Sequence, residues 1–166
     1  MLTPNGIADL YTVKAVAYAR KQDTAQCRRY IAAAADTYQP DSVSADPPWL
    51  RNFTPAQLEG LLANARYELV VGGTDVGDRA AERVALIESL FTAFRRYPAE
   101  RVRSKAITAA SLATLLCLEG EQRAAYQMVE DAIALAGQIR SARVADDLRG
   151  LLRVFAVRRR RRRIHP

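Results

Sequence analysis

The chain has 166 residues, 49% of them apolar with alanine prominent, and a formal net charge of +7. That length suffices for a domain with a real core. No run approaches the roughly 20 continuous apolar residues of a membrane span, and no basic region followed by an apolar stretch opens the chain, so a cytoplasmic protein with no membrane partner is expected.

The charge is unevenly placed. Six of the seven net positive charges fall within the run Arg158, Arg159, Arg160, Arg161, Arg162 and Arg163, which leaves residues 1–157 close to neutral. Lysine is confined to Lys14, Lys21 and Lys105, the remaining basic residues being arginine. That bias, with the alanine excess, points to a GC-rich bacterial genome.

Taken in chain order, residues 1–6 form a short lead. Residues 7–22 read as a helix in which Leu10, Val13, Ala17 and Tyr18 share a face. Asp23 is placed to cap a second helix, from Thr24 to about Tyr38, with Cys27, Tyr30, Ile31 and Ala34 inward. Pro40, Pro47 and Pro48, with Asp41, Ser42, Ser44 and Asp46, make residues 39–53 a long loop. Trp49 and Leu50 are the residues expected to pin it.

Thr54 as cap, Pro55 as first helical residue and Gln57 in a capping box mark the next helix, which runs to about Val71. Phe53 and Leu58 are spaced for a hydrophobic staple, and Leu58, Leu61, Leu62, Ala65 and Leu69 form the apolar stripe. The run Gly72-Gly73-Thr74-Asp75-Val76-Gly77 lacks the Lys-Ser or Lys-Thr of a phosphate-binding loop and reads as a connector. Residues 78–97 form a fourth helix, with Val84, Ile87, Leu90, Phe91 and Phe94 inward, and Pro98 stops it. Residues 101–119 and 121–139 are the fifth and sixth helices. Ser141 caps a seventh that carries Val144, Leu148, Leu151, Leu152 and Phe155. The result is an all-α chain of about seven helices: a single domain over 1–157, followed by a basic, mobile tail over 158–166.

The fifth and sixth helices carry a motif. Leu112, Ala113, Leu116, Gly120, Ala125, Val129 and Ala132 alternate large and small positions around a turn glycine. The pattern resembles a tetratricopeptide repeat, in which small side chains let two antiparallel helices approach closely and glycine makes the turn. Gly137 stands near the place of the family's proline. Tyr11, Ala15, Tyr18, Cys27, Ile31 and Ala34 fall on the same positions in the first two helices, with Gln22 in place of the glycine. Repeats bury their faces by stacking on neighbours, so the resemblance implies a right-handed stack of helical hairpins over residues 7–38, 54–97 and 101–139, with residues from 141 onward as its cap.

A narrower resemblance rests on Asp46-Pro-Pro-Trp-Leu50, the capped helix after it, and Ser141-Ala-Arg-Val with Leu148-Arg149. These are similar to the C-terminal helical-repeat domain of actinobacterial Xre-type helix-turn-helix transcriptional regulators, over roughly residues 7–155. In that family a DNA-binding domain precedes repeats that sense a ligand or partner. Here the chain begins at about the first repeat helix, so a stand-alone relative or a fragment is expected, and the arginine tail departs from the family.

Enzymatic chemistry finds few materials. His165 is the sole histidine, and Cys27 and Cys117 are the only cysteines, far apart and outside any CxxC motif. A zinc site lacks its usual ligands. The adjacent pairs Glu130-Asp131 and Asp146-Asp147 point in different directions on a helix. No enzyme, metal or cofactor is expected. The resemblance instead implies a groove lined by the first helix of each hairpin, with Thr12, Val16, Arg20, Leu62, Arg66, Leu69, Ala110 and Thr114 as candidates for holding a peptide or amphipathic helix. The expected function is a regulatory, protein-interaction module, and a homodimer is left open. The alternative is a nucleic-acid-associated protein acting through the arginine tail.

Overall fold

A computed structural model describes residues 2–73, 80–139, 141, 144–146 and 148–153, without the side chains of residues 43–45. Every regular element among them is helical: α1 (Pro4–Arg20), α2 (Thr24–Thr37), a 3-10 segment (Pro40–Ala45), α3 (Pro55–Gly72), α4 (Ala80–Arg96), α5 (Val102–Glu119) and α6 (Gln122–Ala136). Residues 144–146 and 148–153 are also helical. The chain is therefore all-α. It divides into two compact units, Met1–Ser89 and Leu90–Pro166, with the boundary inside α4.

In the first unit, α1 and α2 form a hairpin. The expected lead is already helix from Pro4, because Thr3 accepts a hydrogen bond from the Gly6 amide at 3.2 Å and Pro4 needs no amide donor there. Asp23 caps α2 through the Gln26 amide at 3.0 Å. Between them Gln22 takes a left-handed φ of 58°. Its amide reaches Ala19 O at 2.9 Å, and the Asp23 amide reaches Tyr18 O at 3.0 Å, which satisfies the last carbonyls of α1.

Ala8, Ala15 and Ala19 on α1 share a core with Cys27, Ile31 and Ala34 on α2 and with Leu58, Leu62, Ala65 and Leu69 on α3. Small residues on α1 let the helix backbones approach, and Ala15, Cys27, Ile31 and Ala34 lie buried in this core. The simpler periodic face for α1 does not hold: Leu10 is 47% and Val13 61% exposed, Ala17 is exposed too, and Ala8, Thr12, Ala15 and Ala19 are buried instead.

The loop after α2 is held by one buried amide. Asn5, fully buried on α1, donates from Nδ2 to Asp46 Oδ2 at 2.7 Å and to Gln39 O at 3.1 Å, with Ser42 Oγ also 3.2 Å from that nitrogen. Its Oδ1 accepts from the Gln39 amide at 2.9 Å. Leu50 and Phe53 are buried beneath the loop, and Phe53 meets the Tyr38 ring edge-on at 5.5 Å. Trp49, expected to help pin the loop, is 67% exposed. Thr54 caps α3 through the Gln57 amide at 3.3 Å.

The second unit repeats the hairpin with α5 and α6. Gly120 takes φ 89°, its amide reaches Cys117 O at 3.2 Å and the Glu121 amide reaches Leu116 O at 2.9 Å. Ala113 and Ala125 are fully buried, and Ala109, Ala110 and Ala132 form a small core with Phe94 and Leu148 against it. Ser141 Oγ accepts from the Val144 amide at 3.4 Å, the predicted cap. Val144 and Leu151 are buried, whereas Leu152, expected on the same stripe, is 62% exposed. On α4 Leu86, Leu90 and Ala93 are buried, as is Tyr97 just past its end, while Val84, expected inward, is 49% exposed.

Candidate functional site

The first unit contains a cleft of about 500 Å³ walled by three helices. α2 contributes Thr24, Arg28, Ile31, Ala32 and Ala35, α3 contributes Leu62, Arg66, Leu69 and Val70, and α4 contributes Glu82, Ala85, Leu86 and Ser89. Each set follows helical spacing, because residues three or four apart stand above one another on one face. Most of the wall is aliphatic. The volume lies in the range typical of small-molecule sites, roughly 300–1,000 Å³.

Three charged groups border it. Arg28 Nη2 lies 3.1 Å from Glu82 Oε1 and ties α2 to α4 across the cleft. Both side chains are well exposed, so the pair stabilises by about 1 kcal/mol at most. Arg66 stands exposed on α3 and has no ion pair among the described residues. Among the described residues the pairing of Arg28 with Glu82 leaves the charge of Arg66 uncompensated at the rim.

Leu62, Arg66 and Leu69, three of the sequence candidates, thus come together, but with α2 and α4 rather than with the α1 candidates. Thr12 is fully buried and its hydroxyl donates to Asp9 O at 2.7 Å within its own helix. Val16 is half-buried against the α1–α2–α3 core. Arg20 is committed to Glu68, with Nη2 at 3.0 Å and Nε at 3.2 Å from the same carboxylate oxygen, and so joins α1 to α3. Ala110 and Thr114 are buried in the second unit, Thr114 donating to Ala110 O at 3.0 Å. The arginine tail and His165 lie outside the described residues.

The sequence reading missed Thr24, Arg28, Ile31, Ala32, Ala35, Glu82, Ala85, Leu86 and Ser89. The signal available for the α2 wall was local: Thr24, Arg28, Ile31 or Ala32, and Ala35 follow one another at helical spacing. Nothing local relates Arg28 to Glu82, which is a tertiary contact.

Cys27 is fully buried beside this region. Burial pushes its thiol pKa up and outweighs the opposing influence of Arg28 and Arg66, so the group stays a protonated, unreactive thiol at neutral pH. Among the described residues no group of three or more His, Cys, Asp or Glu side chains could hold a metal ion, and no helix is long and apolar enough to cross a membrane. In comparisons with known proteins, no family model, no curated protein and no solved structure matches the chain.

Proposed function

We propose that the chain is a non-enzymatic regulatory module whose cleft between α2, α3 and α4 receives an effector ligand or peptide. The observation that carries this reading is the cleft itself: concave, mostly aliphatic, and bordered by the Arg66 guanidinium, which has no ion pair among the described residues. The recurrence of one hairpin turn at Gln22 and Gly120 supports a tetratricopeptide-like stack. The resemblance to the repeat domain of Xre-type regulators supplies the context, the sensing part of a transcriptional regulator acting in the cytoplasm. The test is a thermal-shift screen of a peptide library and a metabolite library on the full chain, repeated with Ala32→Trp. Ala32 is an exposed residue of the cleft wall, so an indole there fills the cleft without entering the core. The reading expects stabilising ligands whose effect disappears in the variant. It is overturned if no compound stabilises the chain, or if Ala32→Trp responds as the parent does.

A second reading rests on Arg158 to Arg163. Six adjacent cations suit a sequence-blind contact to nucleic acid. Six phosphate contacts on duplex DNA would give a log–log salt slope of roughly −5, from about −0.9 per contact. Duplex binding lost on removal of residues 158–166 supports it, and equal binding with and without them ends it.

A further inference from the structure

We infer that the cleft takes a linear alkyl carboxylate, a free fatty-acid-like molecule, with its chain along the aliphatic walls and its carboxylate at Arg66. The inference rests on the proposed binding role of the same cleft. Three observations select this chemistry. Most of the lining is aliphatic, with Ile31, Leu62, Leu69 and Leu86 among it and polar side chains only at Thr24, Arg28, Arg66, Glu82 and Ser89, which favours an occupant with an apolar body. The charges leave one cation over, because Glu82 compensates Arg28 at 3.1 Å while Arg66 has no ion pair among the described residues. An anion therefore completes the site, and a guanidinium receives a carboxylate with two parallel hydrogen bonds. The dimensions favour a narrow occupant. The α2 wall from Thr24 to Ala35 extends on the order of 16 Å at the rise of an α-helix. A cleft of about 500 Å³ accepts an alkyl chain of such length.

The Arg28–Glu82 pair makes a second contribution. Glu82 repels an incoming carboxylate and occupies the other cation, so it sets the affinity below what two free arginines would give. This predicts a variant that gains binding, an outcome that a merely structural role for Glu82 does not produce.

The experiment is calorimetric titration of the full chain with dodecanoate below its micellar concentration, beside dodecylamine and dodecanol as cationic and neutral compounds of equal length. Dodecanoate is expected to bind and the amine not to. Arg66→Glu should weaken dodecanoate by about tenfold or more, Glu82→Gln should tighten it by about threefold, and Ala32→Trp should abolish it. These positions are exposed, and unchanged helicity by circular dichroism verifies each variant. Equal binding of all three compounds, or indifference to Arg66→Glu, overturns the inference as detergent-like adsorption. Binding of a peptide where dodecanoate fails also overturns it. If dodecanoate fails but another compound binds in a manner blocked by Ala32→Trp, the alkyl carboxylate falls and the binding role stands. If nothing binds, both fall.

Discussion

Gln22 and Gly120 hold the same place in two helical hairpins, each in the left-handed backbone conformation, at φ 58° and 89°. The amides around them reach back to equivalent carbonyls, Ala19 and Tyr18 in one hairpin and Cys117 and Leu116 in the other. Glycine adopts this conformation freely, while glutamine is disfavoured by about 1–2 kcal/mol. The Gln22 side chain offsets that cost: its Nε2 donates to Ala19 O at 3.0 Å and to Glu68 O at 3.2 Å. The amide sits over Gly72, where a Cβ would lie 2.4 Å from it.

The two turns should therefore respond differently to substitution. Around Gly120 there is open space, so Gly120→Ala meets only the backbone preference and should cost about 1 kcal/mol. Gln22→Gly relieves the same preference but loses two hydrogen bonds, and should be close to neutral. Urea midpoints of the two variants measure this; a Gly120→Ala protein as stable as its parent would contradict the turn geometry.

Ala125 is fully buried on α6, in the α5–α6 hairpin. Ala125→Leu should overpack that seam and cost roughly 1–3 kcal/mol. Ala134→Leu, on an exposed position of the same helix, provides the control and should change little. Equal stability of both variants by thermal denaturation would deny the close helix approach.

Asn5 supplies both donor and acceptor to the loop that follows α2. Asn5→Leu leaves Asp46, which is 2% exposed, without its 2.7 Å partner, and should cost about 3 kcal/mol. The loss should also open the loop, read as faster proteolysis between Gln39 and Phe53. A stable, protease-resistant Asn5→Leu protein would rule out the anchoring role.

Asp9 carries a carboxyl whose pKa is raised by burial. The folded state thus holds the proton more tightly than the unfolded state. The stability tied to that proton is fully present below the ordinary carboxylate pKa and is lost as pH rises through the higher folded value. Asp9→Asn should raise the melting temperature at pH 7, and its advantage should shrink toward zero as pH falls below 4. An advantage independent of pH would point to a cause other than ionisation.

The sequence made helix number and several caps legible because those signals are local: Asp23, Thr54 and Ser141 each accept the expected amide. It misled at helix faces. On α1 the larger Leu10 and Val13 face outward while alanines and Thr12 are buried, since a close hairpin seam selects small side chains over apolar bulk. Ala15, Cys27 and Ala34, small residues named from the sequence, are fully buried there. Asn5 gave no signal, because its partners lie 34 to 41 residues away. The cleft was half legible: Leu62, Arg66 and Leu69 were named, but the helices that complete it are a matter of tertiary packing.

Residues 108–117 of α5 are all buried, including Thr108, Ser111 and Thr114. Ser111 and Thr114 direct their hydroxyls to carbonyls of their own helix, at 3.1 Å from Ile107 O and 3.0 Å from Ala110 O. A helix covered on every side has no face from which to fray toward solvent. Its amides can exchange with deuterium only when the surrounding protein opens, so the central turns of α5 should be among the slowest-exchanging amides in the chain and report its global rather than local opening. The clock for the loss of structure is thus carried by a helix whose central turns present no polar face to solvent.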